Sequence, residues 1–279
     1  MRVVIFGGTG LLGQSFYDYF INKKFLCYRS SLKKKSDFVT DLSSLKRIVN
    51  FINKTRPNLI INCAGETDVS LCNKDLKLAY KANVIPVKNV IKAISICKKD
   101  CLFVQISTDQ VYNSNKINGE EKINLTNGYG TTKFMAELEA LKHKKTLVIR
   151  TNFFGKSKSK NRSSYTDYII SNLSNKKKIK VPSNIIFNPI HIEKLIDIIF
   201  KLIKRKKNGV FNIGSIDPIS KYNFAVKIAK KYNLDIKYLS AFKSIYSKNQ
   251  RPLGTYMSVK KLKNLKINVP SIQKGIDSI

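Results

Sequence analysis

Short apolar runs alternate with helical stripes through the first half of the chain. Val3–Phe6 reads as a strand leading into a helix from about Leu11, and Phe25–Tyr28 and Phe38–Thr40 read as the second and third strands. Leu45, Ile48, Val49 and Ile52 recur at helical spacing. Leu59–Asn62 is a fourth strand, followed by a long helical pattern from about Leu78 to Ile96, interrupted by Pro86. Leu102–Ile106 is a fifth strand. The turn dipeptide Asn127-Gly128 opens a helix marked by Phe134, Met135, Leu138 and Leu141, and Thr146–Ile149 is a sixth strand. Val/Ile-rich strands alternating with helices predict an α/β fold built on a doubly wound parallel sheet of the Rossmann type.

Beyond Arg150 the rhythm loosens. A polar stretch from Lys156 to Ser164 precedes a helix near Tyr165–Leu173 and a Lys-rich loop. A strongly periodic helix follows (Ile192, Leu195, Ile196, Ile199, Leu202), then a strand at Val210–Ile213 and a more irregular remainder. No internal repeat or low-complexity linker marks a boundary. The expected organisation is a larger part, 1–150 plus about 186–214, interwoven with a smaller C-terminal α/β part, 151–185 plus 215–279.

Composition narrows the class. At 279 residues the chain can bury a large core. No apolar run approaches the roughly 18 residues of a membrane span, and Arg2–Phe6 is a strand rather than a leader. The five cysteines form no Cys-x-x-Cys pair, and two lie in apolar strand-like runs. This usage predicts a reducing, cytoplasmic setting with no membrane partner. The formal charge of +34 raises nucleic-acid binding. Only eight of the 52 basic residues are Arg, however, and the Lys residues are spread over the whole chain. Solvated faces explain that distribution better than a specific nucleic-acid surface. The field would still attract a small anionic substrate.

Gly7-Gly-Thr-Gly-Leu-Leu-Gly13 follows the first strand and opens the first helix. Its glycines at 7, 8, 10 and 13 allow a tight turn and close approach to a pyrophosphate at a helix N-terminus. In that context the stretch predicts a dinucleotide and makes the larger part its binding domain, the smaller one the substrate domain. An acid ending the second strand would bind the ribose hydroxyls of NAD. Here Arg29-Ser30-Ser31 stands there, with no acid until Asp37. Arg29 with Ser30 is suited to a 2′-phosphate, which favours NADP (as NADPH) with NAD possible; Ser31 and Lys33 are alternative ligands, and Arg29 as a merely solvated base stays open.

Tyr129 and Lys133 lie four apart, one above the other at a helix start. They are either a surface pair or a phenol whose pKa is lowered by a neighbouring ammonium. His143 and His191 read as solvated or capping residues, leaving no histidine triad and no metal cluster.

The combination of these motifs with Asp41-Leu42, Asn62-Cys-Ala-Gly65, Asn83, Ser107-Thr-Asp-Gln-Val-Tyr112, Arg150-Thr-Asn-Phe153, Gly209-Val-Phe-Asn212 and Arg251-Pro252 resembles the extended short-chain dehydrogenase/reductase family. Within it the dTDP-4-dehydrorhamnose reductase branch is the most similar, and the resemblance covers essentially the whole chain. It implies Tyr129 as general acid, Lys133 as the group that lowers its pKa, and Thr108 as a hydrogen-bond donor to the same substrate oxygen. It places the cofactor on Gly7, Gly10, Leu11, Leu12, Gly13, Arg29, Ser30, Asp41, Leu42, Cys63, Ala64, Gly65, Asn83, Tyr129 and Lys133. For a nucleotide-sugar substrate it points to Thr67, Thr108, Asp109, Gln110, Tyr129, Phe153 and Arg251, with Phe153 either an aromatic wall or core. Gln110 is an amide, unable to serve as the base where related dehydratases carry an acid. The implied function is NADPH-dependent reduction of a nucleotide-activated 4-keto-6-deoxysugar for surface polysaccharide synthesis, with a homodimer allowed. A sugar-nucleotide epimerase, or a non-catalytic regulatory subunit like that of methionine adenosyltransferase, are the alternatives.

Overall fold

A computed structural model describes residues 1–32, 36–114, 116–159, 162–245 and 251–279. Lys33, one of the alternative phosphate ligands, lies outside the described residues. The first half runs β1 (Arg2–Phe6), α1 (Leu11–Asn22), β2 (Leu26–Ser31), β3 (Phe38–Val39), α2 (Leu45–Thr55) and β4 (Leu59–Asn62). It continues through α3 (Val69–Lys74), α4 (Leu76–Asn83), α5 (Ile85–Ile96), β5 (Leu102–Ile106), α6 (Gly128–Leu141) and β6 (Thr146–Thr151). The second half adds β7 (Phe153–Phe154), α7 (Tyr165–Ser174), β8 (Ile179–Pro182), β9 (Ile186–Phe187), β10 (Ile190–His191), α8 (Ile192–Lys204) and β11 (Gly209–Ile213). It ends with β12 (Ile219–Ser220), α9 (Lys221–Lys231), β13 (Leu239–Phe242), α10 (Lys260–Asn264) and α11 (Ile272–Asp277).

The central sheet has seven strands in the order β11-β6-β5-β4-β1-β2-β3. From β3 to β6 every neighbouring pair is parallel, which is the doubly wound sheet the alternation predicts. β4 is buried at all four positions and β6 at all six, so both faces of these strands are covered, with Asn62 and Arg150 among the buried positions. α2 shows how the flanking helices form. Ser44 caps it by accepting from Arg47 N–H, it buries Ile48, Phe51 and Ile52, and Arg56 ends it in the left-handed region at φ 44°.

The helical pattern expected from Leu78 to Ile96 is two helices. α4 begins at Leu76, the chain breaks at Val84, and Pro86 sits in the first turn of α5. There a missing N–H is tolerated and φ is already helical. α3, capped by Asp68, was not anticipated.

Two compact units divide the chain. One comprises residues 1–108, 127–150 and 202–211; the other comprises 109–126, 151–201 and 212–279. Residues 109–126, 186–201 and 212–214, expected with the larger part, group with the second unit. For 186–201 the reason is local pairing: β9 lies antiparallel to β12, and β10 lies parallel to β7. The core of the first unit joins Val4, Phe6, Ile48, Ile52, Ile60, Val90, Phe103 and Val148. That of the second joins Phe154, Ile169, Phe187, Phe224, Ile228, Ile272 and Ile276. The Lys-rich loop enters a strand that was not anticipated. Lys176 turns the chain at φ 56°, and Ile179 and Val181 are buried in β8 with Lys180 exposed between them. His191 is not solvated; it is 5% exposed and packs against Phe154 at 5.7 Å, and burial lowers its pKa. Among the described residues, no helix is long and apolar enough to cross a membrane.

Candidate active site

The glycine loop is built by close packing. Gly7 adopts φ +73°, and a Cβ there would stand 2.7 Å from Ala64 N. A Cβ on Gly13 would stand 2.2 Å from the Gly7 carbonyl oxygen. Both positions therefore require glycine. The loop is tied to β2 by Gly7 and Gly8 N–H groups, which both donate to the Ser30 carbonyl at 2.9 and 3.1 Å. Gly10 is the N-cap of α1 and offers no side chain, so Leu11, Leu12 and Gly13 open a twelve-residue helix without a side-chain cap. That free helix end, bordered by backbone that a Cβ would fill, fits a pyrophosphate.

The other expected cofactor residues fall into distinct settings. Cys63 N–H donates to the Phe6 carbonyl at 2.9 Å and Ala64 N–H to Asn62 Oδ1 at 3.1 Å, which sets the loop after β4 beside the glycine loop. Gly65 is exposed there, as is Thr67, whose N–H donates to Glu66 Oε1 at 2.7 Å. Asp41 turns its carboxylate onto Ser43, accepting from both its N–H and its hydroxyl at 2.8 Å, and these bonds lower its pKa. Leu42 belongs to the core, 8% exposed. Ser30 is 1% exposed and its Oγ has no hydrogen-bond partner among the described residues. Its carbonyl has a structural role, accepting from Gly7 and Gly8 N–H. Arg29 is not a free, solvated base: Nη2 donates to Asp37 Oδ1 at 3.2 Å.

α6 carries the proposed acid and its partner. Its first turn is fixed from two sides: Asn127 Oδ1 accepts from Gly130 N–H, and Asn73 Oδ1 accepts from Gly128 N–H, both at 2.7 Å. Tyr129, half-buried, sits in that turn. One turn on, Lys133 is 7% exposed and its Nζ donates to the Ile106 carbonyl at the end of β5, at 2.7 Å. Burial pushes the Lys133 pKa down to about 8, against smaller opposing effects of Cys63, Glu137 and Cys72. Thr108, two residues beyond that carbonyl, is 4% exposed. Asn83 links the parts. Its Oδ1 accepts from Glu66 N–H at 2.8 Å and its Nδ2 donates to Thr132 Oγ1 at 3.1 Å, joining the β4 loop to α6.

Glu137 was not anticipated. A further turn along α6, it is 1% exposed and pairs with Arg150, 3% exposed; Arg150 Nη2 lies 2.6 Å from Oε2 and Nε 3.0 Å from Oε1. Ser107 Oγ also donates to Glu137 Oε1. Tyr129, Lys133 and Glu137 thus run down α6 at four-residue spacing. The same spacing in the sequence was the available signal.

In the second unit, Asp109 is 2% exposed, and its Oδ2 accepts from Asn152 Nδ2 and Thr255 Oγ1, both at 2.8 Å. Gln110 beside it is half-buried and Arg251 is exposed. Phe153 is half-buried in β7, whereas Phe154 is the core residue of that pair.

The chain resembles proteins of named activity over most of its length. It is 25% identical to the spore coat polysaccharide biosynthesis protein SpsK of Bacillus subtilis (strain 168) over 234 residues, 82% of this chain and 79% of that protein. It is 25% identical to methionine adenosyltransferase 2 subunit beta of Rattus norvegicus over 279 residues, 95% of this chain and 83% of that protein. Its fold matches a dTDP-4-dehydrorhamnose reductase from Bacillus anthracis str. Ames, solved in complex with NADP. The TM-score is 0.88 at 24% identity, over 99% of this chain and 96% of that one. The model of the RmlD substrate binding domain matches residues 1–279. The chain belongs to the RmlD substrate binding domain family.

Proposed function

We propose that this chain is an NADPH-dependent reductase of the 4-keto group of a nucleotide-activated 6-deoxysugar, acting in the cytoplasm toward surface polysaccharide synthesis. The observation that carries the reading is Lys133 bonded to the last carbonyl of β5, one helical turn from Tyr129 and two residues from Thr108. Kinship with SpsK supports the polysaccharide setting.

The uncapped end of α1 and the glycine loop would hold the pyrophosphate of the dinucleotide, which when bound supplies a hydride. Tyr129 donates its phenolic proton to the carbonyl oxygen of the sugar. Lys133, cationic below about pH 8, stabilises the phenolate left behind. Thr108 donates a hydrogen bond to the same oxygen, and Asn83 holds the β4 loop to α6 so that these groups keep their spacing. Thr67, Gln110, Phe153 and Arg251 are the proposed sugar-nucleotide contacts. Asp109, held by Asn152 and Thr255, shapes that region.

A panel of nucleotide-4-ketosugars with NADPH, followed at the nicotinamide absorbance, tests the reading. At least one should be reduced, and Tyr129→Phe should lower turnover by at least about 10²-fold while cofactor affinity holds. The relationship to the rat subunit beta favours a second reading, a non-catalytic cofactor-binding subunit. Cofactor binding without reduction of any member of the panel would select it.

A further inference from the structure

The end of β2 carries a guanidinium that is already engaged. Arg29 Nη1 donates to Gln14 Oε1 at 3.0 Å and Nη2 to Asp37 Oδ1 at 3.2 Å, with Cζ 4.0 Å from the centre of the Tyr17 ring. The second oxygen of Asp37 accepts from the Arg29 main-chain N–H at 2.8 Å. One carboxylate thus holds Arg29 by backbone and by side chain. A Cβ on Gly8 would stand 2.8 Å from Arg29 Cβ, so the stem of Arg29 lies directly on the glycine loop. The two side chains are 21% and 31% exposed, leaving the pair open to a ligand. Arg29 Nε is buried without a partner among the described residues.

We propose that Asp37 is a specificity-determining residue for the dinucleotide: its carboxylate competes with an adenosine 2′-phosphate for Arg29 and so tempers the preference for NADPH over NADH. The inference rests on the dinucleotide reading of the glycine loop. A 2′-phosphate gains a charge-assisted bond from Arg29 only by displacing or sharing Asp37, and it then lies against a like charge. An unphosphorylated ribose meets the reverse situation, because a carboxylate at the end of the second strand accepts its hydroxyls. The acid lies eight residues from Arg29 in sequence rather than beside it, and it is brought there by the connection to β3. Gln14 remains an acceptor for Arg29 when Asp37 is neutralised, so the guanidinium keeps its place.

The test is calorimetric titration of the full chain, wild type and Asp37→Asn, with NADPH and NADH and with 2′,5′-ADP and 5′-AMP as shorter probes. Asp37→Asn should tighten NADPH and 2′,5′-ADP by roughly tenfold, the effect of a like charge removed from beside a phosphate, with NADH and 5′-AMP unchanged or weaker. Combining it with Arg29→Met should abolish the gain. If Asp37→Asn melts early, Asp37→Ser gives the same readout. Wild-type binding of both dinucleotides with no response to either substitution overturns the proposal alone. Failure of wild type to bind any of the four overturns the dinucleotide reading and the proposal together.

Discussion

Lys133 is a buried ammonium whose cost and use have the same origin. With its pKa held at about 8 against a model-peptide value of about 10.4, the folded chain binds fewer protons than the unfolded one between those limits. Stability therefore rises with pH across that window, and below pH 8 the full penalty for burying the charge is present. Lys133→Met removes the titration. Urea unfolding at pH 7 and pH 10 should show wild type gaining relative to the variant by about 1–3 kcal/mol, an order of magnitude set by a shift of roughly two pKa units. Equal pH dependence in both proteins would mean that Lys133 is not desolvated. The same cost would explain why the residue is bonded to a main-chain carbonyl rather than to a carboxylate: a direct ion pair would raise its pKa.

Among the elements, α6 and β6 are joined by the ion pair of Glu137 and Arg150, with Ser107 of the β5 end as a third member. Removing one partner leaves a buried charge uncompensated, so Arg150→Met should destabilise by about 3–5 kcal/mol in urea unfolding. Replacing both, Arg150→Met with Glu137→Leu, should recover much of that loss, and additive losses would refute the pairing. This pair also marks what could be read from sequence. β4 and β5 were legible to the residue, because the apolar triplets Leu59–Ile61 and Leu102–Val104 sit at strand length between helical patterns. The stripe of α8 was legible too, and its Ile192, Leu195, Ile196, Ile199 and Leu202 are all buried. The break between α4 and α5 was blurred because apolar periodicity runs through Val84, and α3 was missed because six residues are too few to show a period. Arg150 stood out only within the Arg150–Phe153 motif and Glu137 not at all, since thirteen residues of sequence hide their pairing. Asp37 was noted only as an absent neighbour of Arg29, since strand pairing rather than sequence distance brings them together. His191 was misjudged because a polar residue before a helix usually caps it, whereas here its ring packs on Phe154.

At the scale of the whole molecule, a formal charge of +34 means self-repulsion that salt should relieve. The melting temperature should rise between 10 mM and 200 mM salt, where the Debye length shrinks from about 30 Å to under 10 Å. Duplex DNA should bind weakly at low salt, without sequence preference, and be released at physiological salt. A flat melting temperature, or sequence-selective retention at physiological salt, would show that the charges are locally paired or serve nucleic acid. The strand order has a different consequence, one for biogenesis. β6 ends at residue 151, but the strand that flanks it, β11, begins only at residue 209. At about 5–20 residues per second a ribosome needs roughly 3–12 s to deliver that cover. Throughout that interval the nascent chain presents an unpaired strand edge around Leu147, Val148 and Ile149, the kind of template that recruits other unfinished chains. Slow codons or truncations between 151 and 209 would prolong this exposure, making aggregation on the ribosome the chain's characteristic failure.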